Sequence, residues 1–113
     1  MDQAKKWINC DGAYRLGLTG QGVGVAILDT GIFLHRDFED RLAAFVDMVK
    51  RRKEPYDDNG HGTHIAGIIA GAGIDSGGRY HGVAPGCRSH QPEGAGSPGQ
   101  WICLRRAWQG CKW

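Results

Sequence analysis

An α/β fold built on a parallel sheet is what this sequence predicts, and three observations carry that reading. The run Val23-Gly24-Val25-Ala26-Ile27-Leu28 is apolar at almost every position. This is the pattern of a parallel strand covered on both faces, not of a strand with one face in water. The run ends in Asp29-Thr30-Gly31, an acid followed by residues suited to a sharp turn. About thirty residues further on, Gly60-His61-Gly62-Thr63-His64-Ile65-Ala66-Gly67 opens a stretch of small and apolar residues, which reads as a helix able to lie close against a sheet.

The other elements follow in chain order. Residues 1–7 are polar and lack the apolar core of a signal peptide. Residues 10–17 read as a short helix stopped by the glycines of Gly17-Leu18-Thr19-Gly20-Gln21-Gly22. Asp37 and Phe38 fall in a turn. Residues 41–49 carry a second apolar run, Leu42-Ala43-Ala44-Phe45-Val46, expected to be a strand. Residues 50–59 are charged and turn-rich, so a surface loop is expected. Residues 61–72 form the main helix, with Ile65, Ile68 and Ile69 on its apolar side. Each interior glycine costs a helix about 1 kcal/mol relative to alanine, so glycines there imply close backbone approach. Residues 80–85 read as the lead into a further strand.

Residues 88–113 differ in kind. Residues 88–100 lack periodicity and are dense in Gly, Pro, Ser and Gln; the whole tail is expected to be irregular or disordered. Trp101, Trp108 and Trp113 all fall in it. Codons compatible with residues 88–95, read one nucleotide later, can encode an apolar strand of the kind the fold calls for at that point. The tail therefore reads as a translated shifted frame, with a flexible natural tail as the alternative.

Composition excludes several function classes. A formal charge of +2 on 113 residues points to neither nucleic acid nor an acidic membrane surface. No apolar run approaches the roughly 20 residues that a membrane-spanning helix needs. Cys10, Cys87, Cys103 and Cys111 have no Cys-x-x-Cys spacing, and their redox state is open. Location is open too: a cytoplasmic protein and a mature secreted chain both fit.

The chemistry suggested by Asp29 and His61 is acid–base work. A protease that acts through a hydroxyl needs a base to remove the hydroxyl proton and a carboxylate to fix the base's tautomer. In open α/β sheets functional groups gather beyond the carboxyl ends of the strands, where Asp29 would lie. His61 would stand at the start of the following helix. Other readings are weaker. His61 and His64 lie three residues apart and would need His35, His81 or Asp58 to complete a zinc site, and no His-Glu-x-x-His pattern exists. Gly20, Gly22 and Gly24 precede the strand, whereas a dinucleotide-binding loop follows one. Ala95-Gly96-Ser97-Pro98-Gly99 lacks the first glycine of a nucleophile elbow, and no apolar strand precedes it.

Four segments together resemble a known family. Val25-Ala26-Ile27-Leu28-Asp29-Thr30-Gly31-Ile32, His35-Arg36-Asp37-Phe38, Asp58-Asn59-Gly60-His61-Gly62-Thr63-His64-Ile65-Ala66-Gly67 and Gly82-Val83-Ala84-Pro85 look like the subtilisin-like serine proteases, peptidase family S8. The resemblance runs from about residue 9 to residue 86. It implies a three-layer α/β fold, with residues 1–87 as the N-terminal part of a catalytic domain and residues 88–113 as a non-family tail. It implies serine-type endopeptidase activity on protein or peptide substrates, with Asp29 as triad acid, His61 as base and no organic cofactor. His64 matches the family's second histidine, which is not the base. Asp37 matches a residue that helps bind calcium in some members, but calcium is not supported by the rest of this sequence. The family's Gly-Thr-Ser-Met-Ala serine motif is not found in these 113 residues, and Arg36 stands where the family usually has proline. The chain is therefore expected to be inactive alone. The alternative expectation is a non-catalytic fragment or a module that binds a partner at a strand edge.

Overall fold

A computed structural model of the chain describes residues 2–87 and the strand at 101–105. The expectations for residues 88–100 and 106–113, including the Ser97 loop, lie outside the described residues. Two short helices, α1 (Asp2–Trp7) and α2 (Cys10–Arg15), precede β1 (Val25–Asp29). After β2 (Leu42–Asp47) comes α3 (His61–Ala70), and β3 (Trp101–Arg105) is the last described element. The sheet has the order β1-β3-β2 with both pairings parallel. Val25 and Leu42 both pair with Trp101, and Asp29 and Asp47 both pair with Arg105. The two acids thus end their strands at one level. The chain is an α/β protein.

Strand β3 corrects the expectation that the whole of 88–113 is irregular. Trp101-Ile102-Cys103-Leu104 is a short β-favouring run, and its backbone satisfies the facing ladders of β1 and β2 at once. The Gly- and Pro-rich composition just before it obscures that local signal.

Strand β1, apolar up to Asp29, is also not covered on both faces among the described residues. Ile27 is buried in the core while Leu28 is 57% exposed. The core gathers on the α3 side: Ile27, Ile32, Phe38, Ala66, Ala70 and Cys87 are buried together, with Val25, Leu42, Phe45, Ile65 and Ile69 packed around them. Along α3 the buried positions are Gly62, Ala66 and Ala70, a strict four-residue row on one face. The isoleucines expected to form the apolar side flank this row and are only half-buried. Small residues win the central row because they let the helix axis approach the sheet.

Helix α3 stops at Ala70, two residues sooner than the sequence suggests. The reason lies in residues 82–84, expected to start a strand. Gly82 N–H donates to Gly71 O (2.8 Å), Val83 N–H to Ile68 O (2.9 Å) and Ala84 N–H to Ile69 O (2.7 Å). These bonds satisfy carbonyls that a helix end leaves without partners. Buried Arg41 adds a bond from its guanidinium to Ala70 O (2.7 Å). The same segment anchors the N-terminal helices: Tyr14 Oη donates to Val83 O (2.7 Å) and Lys5 Nζ to His81 O (3.1 Å).

Candidate active site

Asp29 is the last residue of β1 and His61 the first of α3. The fold brings them into contact across 32 residues of sequence: His61 Nδ1 lies 2.7 Å from Asp29 Oδ1 and 2.9 Å from Oδ2. The ionised carboxylate can only accept, so Nδ1 carries the proton and neutral His61 presents Nε2 as its basic nitrogen. The Asp29 side chain is 16% exposed and that of His61 59%. The Asp29 carboxylate is sheltered and the His61 imidazole faces outward. Thr30 N–H donates to Asp29 Oδ1 (2.7 Å) and helps hold the carboxylate in place.

Two glycines make this approach possible. A Cβ on Gly62 would collide with the carbonyl oxygen of Gly31 and sit 3.2 Å from Asp29 Cβ. Gly31 has φ 137° and packs on the Tyr56 carbonyl, a conformation that side chains strongly disfavour. It lets the chain leave β1 and form an isolated antiparallel bridge with Asp57, reinforced by Ile32 N–H donating to Tyr56 O (3.1 Å).

Sequence reasoning did not single out Asp57. Its carboxylate receives the Thr30 hydroxyl (2.9 Å), the Gly60 N–H (2.9 Å), and the Thr63 N–H (2.9 Å) and hydroxyl (2.6 Å). Desolvation pushes its pKa upward, but these hydrogen bonds outweigh that and hold the carboxyl well below the usual carboxylate range. An acid three residues ahead of the helix-capping Gly60 was the signal available in the sequence.

The other candidate residues do not join the pair. His64 is exposed and lines an open cleft of about 520 Å³ with Phe33, His35, Phe38, Thr63 and Tyr80; neither Asp29 nor His61 lines it. Asp37 uses Oδ1 to accept from Ile74 N–H (2.9 Å) and Oδ2 to accept from Gly73 N–H (3.2 Å). Among the described residues no three His, Cys, Asp or Glu side chains gather as metal ligands. Cys10 and Cys87 are buried free thiols, and burial pushes the Cys87 thiol pKa up. No helix among the described residues is long and apolar enough to cross a membrane.

Comparison with known proteins agrees with the resemblance. The chain is 59% identical over 68 residues to serine protease AprX of Bacillus subtilis (strain 168), covering 60% of this chain and 15% of that protein. It is 39% identical over 106 residues to Subtilisin BL of Lederbergia lenta, covering 94% of this chain and 38% of that one. It is 38% identical over 117 aligned residues to the alkaline protease of Alkalihalobacillus alcalophilus, covering all of this chain and 30% of that one. The chain thus spans well under half the length of these relatives. The profile of the Subtilase family, Peptidase_S8, matches residues 20–102, most of the sequence, and the chain belongs to that family.

Proposed function

We propose that this chain carries the acid and the base of a serine-type endopeptidase. The observation that carries the reading is the hydrogen bond from His61 Nδ1 to the Asp29 carboxylate (2.7 Å), at the end of a parallel strand in a Subtilase-family chain. Asp29 holds the imidazole in the tautomer whose Nε2 is free to act and stabilises the imidazolium that forms. His61 Nε2 takes the proton of a serine hydroxyl as that oxygen attacks the scissile carbonyl, then returns it to the leaving amine. The serine would come from the Gly-Thr-Ser-Met-Ala motif of the complete architecture, which these 113 residues do not contain. Protein or peptide is the substrate, and the chain by itself does not turn it over. We further infer that β1, β2 and α3 are the N-terminal part of a three-layer sheet-and-helix catalytic domain, and that residues 88–113 are read from a shifted frame.

Two experiments test this. The purified chain, incubated with a fluorogenic peptide and a fluorophosphonate probe, is expected to show neither turnover nor labelling; covalent labelling of any serine overturns its inactivity. Residues 9–86, grafted in place of the matching segment of Subtilisin BL, are expected to support peptide hydrolysis. Asp29→Asn in that graft should lower kcat by about 10⁴-fold, the loss expected when a triad acid is replaced. A graft that tolerates Asp29→Asn refutes the assignment.

A further inference from the structure

We propose that Asp57 is the positioning residue that holds His61 against Asp29, acting through two threonines that lock the start of α3 onto the end of β1. The proposal rests on the reading of Asp29 and His61 as acid and base.

Five donors converge on the Asp57 carboxylate. Oδ1 accepts from Thr30 Oγ1 (2.9 Å), Gly60 N–H (2.9 Å) and Asn59 N–H (3.2 Å). Oδ2 accepts from Thr63 N–H (2.9 Å) and Thr63 Oγ1 (2.6 Å). Capping the helix would need only the Gly60 and Thr63 bonds. The Thr30 bond does something else, because Thr30 follows Asp29 directly at the end of the strand.

The two hydroxyls form a reciprocal pair. Thr30, on the strand side, accepts the N–H of Gly62 from the helix (3.0 Å). Thr63, on the helix, accepts the N–H of Phe33 from the segment leaving the strand (2.9 Å). Each hydroxyl has one proton, and each directs it to Asp57, which frees its lone pairs for the opposite element. The carboxylate therefore sets the direction of both cross-links. Gly62, the residue after His61, is held by one of them.

Asparagine cannot take this role. Its single carbonyl oxygen could serve the Thr30 side, but its amide NH₂ would then face the N–H of Thr63, donor against donor, and could bond the Thr63 hydroxyl only by turning that hydroxyl's proton away and competing with the Phe33 N–H for its lone pairs. Asp57→Asn would lose the Thr63 N–H bond, loosen the Thr63 cross-link and let the imidazole turn away from Asp29. Chemistry at His61 would change although Asp57 touches neither the base nor any reacting atom.

The test uses the full 113-residue chain and ring ¹⁵N NMR of His61, which reports which nitrogen carries the proton. Wild-type protein is expected to show the Nδ1–H tautomer. Asp29→Asn should abolish that preference; if it does not, the underlying acid–base reading fails. With that control in place, Asp57→Asn is expected to lower the ratio of Nδ1–H to Nε2–H by roughly tenfold, the worth of one hydrogen bond, while the amide spectrum stays folded. An unchanged ratio in folded Asp57→Asn overturns the role of Asp57 and leaves the pair standing. Should Asp57→Asn fail to fold, Thr30→Val and Thr30→Ser carry the test. Thr30→Val should reproduce the loss and Thr30→Ser, which keeps the hydroxyl, should restore the wild-type ratio; a wild-type ratio in Thr30→Val overturns the proposal.

Discussion

Replacing Gly62 by alanine is expected to pull the helix away from the strand and break the Asp29–His61 contact. Gly67, one turn and a half further along α3, supplies the control. A Cβ at Gly67 meets nothing within 4 Å, whereas one at Gly62 collides with Gly31 O and crowds Gly31 N (3.1 Å) and Asp29 Cβ (3.2 Å). Gly67→Ala gains up to about 1 kcal/mol of helix propensity and Gly62→Ala, in the first turn of α3, gains no more than that, so most of the difference between the two variants is the steric cost. Overpacking of this kind costs about 1–3 kcal/mol. Gly67→Ala should therefore be stabilised by about 0.5–1 kcal/mol, and Gly62→Ala should lie about 1–3 kcal/mol below it. Relief of the clash needs a shift of about 1 Å. That would stretch the Nδ1···Oδ1 separation from 2.7 Å past the hydrogen-bonding range. Urea unfolding of the two variants measures the energy difference, and the His61 ring ¹⁵N shifts measure the contact. Equal urea midpoints for Gly62→Ala and Gly67→Ala, with the Nδ1–H tautomer intact in both, would refute the claim that helix–strand proximity sets the pair.

Further outcomes follow from the charges and hydrogen bonds. Asp47 is buried and accepts from Tyr56 Oη (2.6 Å) and from the N–H groups of Val49 (2.9 Å), Lys50 (3.0 Å) and Arg52 (3.3 Å); desolvation raises its pKa, but these bonds prevail and hold it well below the usual carboxylate range. Asp57 is depressed in the same way. A depressed folded pKa contributes stability that is present above the unfolded value, about 3.9, and lost as pH falls below it toward the folded one. The urea midpoint should thus decline from about pH 5 downward, and Asp47→Asn should flatten that decline; an unchanged slope would contradict the assignment. Burial, helped by a hydrogen bond and charge from Cys10, pushes the Tyr14 phenol up to about 12, so alkaline ultraviolet titration should lose one late-ionising tyrosine in Tyr14→Phe, with about 0.5–1.5 kcal/mol of stability lost with the bond to Val83 O. Sequencing the gene from codon 80 onward is expected to show an apolar strand in the shifted frame after codon 87; a shifted frame that reads polar or stops at once removes that reading of the tail.

Much of the site was legible before any fold was known. Asp29 at the end of an apolar run and His61 at the head of a small-residue stretch declare their chemistry by residue type, and β1, β2, α2 and α3 declare themselves by composition and spacing. The small residues of α3 forecast a close approach to the sheet, but not which of them would make it. Periodicity marks Ile65, Ile68 and Ile69 as the apolar side, yet Gly62, Ala66 and Ala70 take the central row, because packing rewards the residues that let backbones meet. Residues 82–84 look like the start of a strand and instead close the end of α3; nothing local says which carbonyls await them. Asp57 looks like one more acid in a charged loop. Its importance arises from Thr30, 27 residues earlier, and Thr63, six residues later. Residue identity alone thus marked a carboxylate and an imidazole as candidates for acid–base chemistry and outlined α2, β1, β2 and α3, but not α1 or β3. Only the tertiary structure decided which groups touch, because directional hydrogen bonds between distant segments depend on how closely a helix and a strand end can pack.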